Sequence, residues 1–218
     1  MNARTKKLTM VAMLCAIAYV VVVIARIPVV FFLKYEPKDV VITIGGFLFG
    51  PLTSFIISAI VSIVEMLTAS DTGIIGCVMN ILASCSFACI AAWIYKKKHT
   101  LSGAVLGVIC GIFMMTIVML LWNYLITPIY MGYPREVVAE LLIPAFLPFN
   151  LLKGGLNTAL TLLIYKPVVQ ALRKANLVEF SHQANQQIQK GKKIGLILIA
   201  LGLLVTCVFF ILVMNGVL

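Results

Sequence analysis

The chain has 218 residues, 62% of them hydrophobic, and its mean hydropathy is +1.12. A soluble domain of this size cannot cover so much apolar surface, so the composition points to a polytopic membrane protein. The formal net charge of +10 does not indicate nucleic-acid binding, because the cations cluster in short loops beside apolar runs.

The first apolar run, about Leu8 to Ile24, is long, lacks a small-residue cleavage site and is followed by further spans, so it is not a cleaved signal peptide. It carries Ala12 and Ala16, small residues one helical turn apart that permit close helix approach. Such pairs serve internal packing as readily as partner contacts. The loop from Arg26 to Asp39 leads into span two through LKYEPKDVV. Tyr35 can stack on a flat ligand, and Glu36 and Asp39 can accept hydrogen bonds; an ordinary solvated loop fits the same residues.

Span two, about Val40 to Phe49, is short, so it must tilt or be shielded by its neighbours. Spans three, four and five cover about Pro51 to Leu67, Ile74 to Tyr95 and Leu101 to Ile126. Span six covers about Leu141 to Tyr165, with a second start at Pro148. A polar segment separates it from a seventh run, Ile194 to about Val213. Most of these runs approach the ~20 residues that cross a bilayer as a helix. The expected fold is an all-α integral membrane protein, divided into a membrane domain (1–175), a polar linker (176–193) and an additional C-terminal transmembrane helix (194–218).

The positive clusters are Arg4, Lys6 and Lys7; Lys96, Lys97 and Lys98; Lys166, Arg173 and Lys174; and Lys190, Lys192 and Lys193. A cytoplasmic N-terminus places all four inside. With that topology, polar residues gather in the outer half: Glu65 near the end of span three, Asn80 in span four, Asn123 in span five, and Asn150, Lys153 and Asn157 in span six. The last three fall at i, i+3 and i+7, on one helix face. A buried ammonium marks a partner, a cavity or a ligand. Lys153 therefore reads as a site residue, or as half of an ion pair with Glu65, Glu36 or Asp39. Asn80 and Asn157 equally suit interhelical hydrogen bonding. Trp122, Tyr124 and Tyr130 lie near the outer interface, where an aromatic belt is the ordinary reading of Trp122 and Tyr124. Asparagines beside apolar walls suit a flat, neutral, amide-bearing or hydroxylated molecule, and a lone lysine argues against a polyanion.

The six cysteines lie in apolar runs without a CxxC, so neither a metal site nor a disulfide framework is expected. GKKIG (191–195) lacks the spacing of a phosphate loop, and GxSxG and HExxH are absent. No enzyme and no cofactor is expected, and active transport would need an ion gradient or an energising partner.

KYEPKDVVITIGGFLFGP, WNYLITPIYMG and PFNLLKGGLN together resemble the riboflavin-binding S components of energy-coupling factor (ECF) vitamin transporters, over about Leu8 to Lys174. The resemblance implies a six-helix S-component bundle in a bacterial cell membrane that captures riboflavin from outside without catalysis. It also implies a transmembrane coupling protein and two cytoplasmic ATPases, with reorientation of the S component in the membrane to release the vitamin inside. Carried onto this sequence, it implies ligand contacts at Asn123, Asn150 and Lys153, followed by Tyr35, Glu36, Asp39, Asn80 and Asn157, and contact with the coupling protein at Ala12 and Ala16. It leaves the seventh run unexplained. Alternatives are the same fold with flavin mononucleotide or another vitamin, a membrane enzyme with Lys153 and Glu65 as its acid–base pair, and a membrane assembly protein without a small ligand.

Overall fold

A computed structural model describes residues 3–30, 33–69, 72–174 and 190–214. Helix α1 (Ala3–Ile24) leads into a two-stranded antiparallel hairpin, β1 (Ile27–Val30) and β2 (Leu33–Tyr35), in which Ile27 faces Tyr35. The segment read as a plain outer loop thus has a ladder of its own, with the branched side chain of Val29, a shape that favours strands, buried beneath it. Then follow α2 (Lys38–Phe49), α3 (Pro51–Thr68), α4 (Gly73–Lys97), α5 (Leu101–Met131), α6 (Arg135–Leu141), a π-helical turn (Leu142–Phe146), α7 (Leu147–Lys174) and α8 (Lys190–Met214).

Among the described residues, five helical stretches are long and apolar enough to cross a membrane: Arg4–Ile24, Pro51–Thr68, Gly73–Lys97, Leu101–Tyr130 and Arg135–Leu172. The chain is therefore a multi-pass, all-α membrane protein. Helix α2 has 12 residues and rises only about 18 Å. It is shielded, as expected, because it packs on α1, α3, α4 and α7 and buries nine of its residues. Gly50 makes the sharp turn into α3 at φ 94°, a conformation that a Cβ would disfavour, and Pro51 occupies the first turn of α3, where its missing N–H costs nothing.

Helices α4 and α5 pack most intimately of all. A Cβ added to Gly107 or Gly111 would lie 2.7 Å from the carbonyl oxygen of Ala91 or Phe87, so these glycines let the two backbones touch. The glycine ridge of span five is internal packing. The main core gathers Leu14, Ile42, Ile57, Phe87, Ala91, Val108 and Met115. A second cluster joins Val29, Leu33 and Tyr35 of the hairpin to Phe149, Leu152 and Leu156 of α7.

Two expected boundaries shift. Span six begins at Arg135, and the π-helical turn absorbs the break expected near Pro148. Pro144 and Pro148 lack the N–H that would continue the regular ladder, and a wider turn accommodates them. The seventh run starts as a helix at Lys190, so residues 190–193 of the expected linker belong to α8, while 176–189 lie outside the described residues. Within α8 the described side chains from Ile197 to Phe209 form one apolar stretch.

Candidate functional site

A cavity of about 300 Å³ opens among the hairpin, the end of α3, the start of α4, the end of α5 and the start of α7. This end of the bundle is opposite the Lys96–Lys97 corner. The volume is at the lower end of small-molecule sites. Its apolar walls come from Leu33, Met79, Met119, Trp122 and Phe149. Its polar groups include Asn80 from α4, Asn123 from α5, Asn150 and Lys153 from α7, and Glu36 beside the hairpin. Trp122 faces this cavity, whereas Tyr124 lies under the Arg135 guanidinium with its ring centroid 5.6 Å away.

Asn123 donates from Nδ2 to the Met119 carbonyl at 2.7 Å and accepts from the Thr127 hydroxyl at 2.9 Å. Asn150 donates to the Phe146 carbonyl at 2.7 Å. These bonds to the adjacent turns fix both amides in place. Both side chains are buried yet face the cavity. Lys153 is also buried and reaches Asp39 Oδ2 at 3.5 Å.

Asp39, wholly buried, is the hub behind this lysine. It accepts from Ser84 Oγ at 2.5 Å and from Asn157 Nδ2 at 3.1 Å, and Asn157 Oδ1 in turn accepts from the Tyr35 hydroxyl at 3.0 Å. A carboxylate removed from water requires such partners. Tyr35, Asp39 and Asn157 thus stand behind the cavity wall, in one chain that ends at Lys153. Burial pushes the Tyr35 phenol well above its ordinary value, with the Asp39 carboxylate adding to the effect.

At the rim, four charges close into a ring. Arg26 pairs with Glu36 at 2.9 Å and with Glu65; Lys38 pairs with Glu36 at 2.6 Å and with Glu65 at 2.5 Å. Asn80 donates to Glu65 at 3.3 Å. Burial alone would raise the Glu36 carboxyl, but Lys38, Lys153 and Arg26 overcome it and hold the group below its ordinary range. Glu65 is therefore not the partner of Lys153, and the acid–base pair considered from sequence does not form; Lys38 and Arg26 occupy Glu65 instead. The sequence did not single out Arg26 or Ser84 for the site, and it offered Lys38 only as a helper to Lys153 toward a phosphate; the structure instead commits Lys38 to Glu36 and Glu65. The available signal was opposite charge: Arg26, Glu36, Lys38 and Glu65 all fall at ends of elements on the same side of the membrane.

Ala12 and Ala16 are exposed on α1, on a face that no described element covers.

The family model described as "ECF transporter, substrate-specific component" matches residues 6–165. The riboflavin transporter FmnP of Bacillus subtilis is 29% identical over 190 residues, covering 80% of this chain and 99% of the relative. The riboflavin transporter RibU of Staphylococcus aureus is 28% identical over 180 residues, covering 78% of this chain and 94% of the relative. A solved structure of the S component of a bacterial ECF transporter superposes with a TM-score of 0.67 at 27% identity, covering 78% of this chain and 99% of that one.

Proposed function

The chain belongs to the substrate-specific components of ECF transporters, and from that premise we propose that it captures riboflavin in the cavity between the hairpin and α7 and delivers it inward. As a member of this family it is a transport component, not an enzyme, and it needs no cofactor. The observation that carries the ligand reading is the convergence of Asn80, Asn123, Asn150 and Lys153, from three helices, on one apolar-walled cavity. Apolar walls suit the flat isoalloxazine ring, and fixed amides suit its ring edge and the ribityl hydroxyls. The relatives named as riboflavin transporters support this choice.

The charges favour the neutral vitamin over its phosphate. Arg26 and Lys153 line the cavity but already face carboxylates, which leaves Lys34 as the lining cation without a carboxylate partner among the described residues. Tyr35, Asp39 and Asn157 act in this reading by positioning Lys153. The N-terminus is cytoplasmic, which puts the lysine clusters inside and the cavity outside. Ala12 and Ala16 present the exposed small-residue face for a transmembrane coupling protein, which two cytoplasmic ATPases would energise.

The test is titration of the detergent-purified protein with riboflavin, followed by quenching of flavin fluorescence, with flavin mononucleotide as competitor. Stoichiometric quenching is expected, with riboflavin preferred. A folded, ligand-free protein that quenches no flavin fluorescence refutes the reading.

A further inference from the structure

Two features remain unused by capture: the glycine pair after Lys153, and α8, which lies beyond residue 165 where the family match ends. The structure joins them. A Cβ on Gly154 would meet Ile112 of α5 at 2.9 Å, whereas a Cβ on Gly155 would meet Cys207 Sγ of α8 at 3.0 Å and Leu203 Cδ1 at 3.9 Å. Each glycine thus admits a different helix, and α8 lies against α7 two residues from the cavity lysine.

The same stretch of α8 reaches the hairpin. Cys207 and Ile211 pack on the cluster formed by Val29, Leu33 and Tyr35 with Leu152 and Leu156, and α8 touches β1 directly. The hairpin carries Leu33 and Lys34 into the cavity wall, and Glu36 follows it. Tyr35 begins the chain of bonds through Asn157 and Asp39 to Lys153. A small two-stranded hairpin has little stability of its own and depends on what packs against it.

We infer that α8 is a brace for the ligand pocket: seated on Gly155, it holds the hairpin in place and thereby slows exchange of the ligand. The effect on ligand exchange rests on the capture reading; the seating of α8 does not.

The seating is tested by Gly155→Cys in the full chain. The new Cβ would stand 3.0 Å from Cys207 Sγ, which matches the spacing of about 3 Å from Cβ to the far sulfur of a disulfide. Mild oxidation is expected to close this bond, seen by mass as the loss of two thiols, and not to do so when Cys207→Ser is added. Cys207→Phe should push α8 away. We expect faster amide hydrogen exchange in the two hairpin strands of the ligand-free protein, and riboflavin dissociation accelerated about fivefold, since altered packing around a site acts mainly on the off-rate. No cross-link, or unchanged hairpin exchange in Cys207→Phe, overturns the brace. Faster exchange with unchanged dissociation overturns its control of the ligand. If Cys207→Phe does not fold, the oxidised Gly155→Cys protein must show slower hairpin exchange than its reduced form, or the brace is refuted. If the unaltered protein binds no riboflavin, the capture reading fails, while cross-linking and exchange still decide whether α8 braces the hairpin.

Discussion

Tyr35 and Asn157 are 122 residues apart in the chain, yet the Tyr35 hydroxyl donates to Asn157 Oδ1 at 3.0 Å in the buried interior. This contact fastens the hairpin to the middle of α7. The amide of Asn157 passes the connection to Asp39, and Asp39 holds Lys153 at the cavity wall.

Replacing Lys153 by Met removes the salt-bridge partner of Asp39 among the described residues and leaves it the hydrogen bonds from Ser84 and Asn157. Loss of one member of a buried pair costs about 3–5 kcal/mol. Lys153→Met should lower the thermal midpoint in detergent and weaken riboflavin binding at least ~10-fold. Lys153→Met combined with Asp39→Asn should regain much of the stability but not the affinity. Equal recovery of both would make Lys153 a structural residue only.

Asn123 and Asn150 make their hydrogen bonds to groups four residues away along the chain, not to another helix of the bundle. Substitution by Leu should therefore cost little stability. Each lost ligand hydrogen bond should weaken binding by about 1 kcal/mol, roughly fivefold, read by fluorescence titration. Unchanged affinity in both variants would remove them from the ligand contacts.

The four-charge ring predicts coupled energies. Glu65→Gln leaves Lys38, which is wholly buried, with Glu36 alone and should destabilise the protein by about 3 kcal/mol. Lys38→Met in the same chain should recover part of that loss. A double-mutant cycle on thermal unfolding measures the coupling. Additive losses would show that the ring is not an energetic unit.

Glu36 is held below its ordinary value of 4.5 by Lys38, Lys153 and Arg26, against the opposing effect of burial. A carboxyl with a lowered folded value stabilises above its unfolded value and loses that contribution as pH falls through the folded one. Stability should therefore decline below pH 4.5, and Glu36→Gln should flatten part of that decline. Thermal midpoints across acidic pH provide the check. An identical slope in the variant would exclude Glu36 as the responsible group.

Bulky residues at the exposed Ala12 and Ala16 should leave riboflavin binding unchanged in purified protein and abolish uptake in cells that carry the remaining transport components. Paired binding and uptake measurements separate the two effects. Uptake at the unaltered level would mean that this face is not the partner contact.

The membrane class, the crossing helices and the convergence of Asn80, Asn123, Asn150 and Lys153 were legible because hydropathy and the 3.6-residue period act locally. The partner of Lys153 was not, since Glu65, Glu36 and Asp39 were equivalent on charge alone. Only the packing of α2 between α4 and α7 brings Asp39 within 3.5 Å and gives Glu65 to Lys38. The hairpin was missed because two very short strands between charged residues leave too few positions for an alternating pattern. The roles of Gly154 and Gly155 depend on which helix approaches each, and that is a property of tertiary structure.

Helix α2 rises about 18 Å where the hydrocarbon core of a bilayer is about 30 Å thick. Its nine buried residues face α1, α3, α4 and α7 and not lipid, so protein meets the missing depth. The start of α2, where Lys38 and Asp39 hold the charges behind the cavity, is thereby insulated from the thickness of the surrounding bilayer.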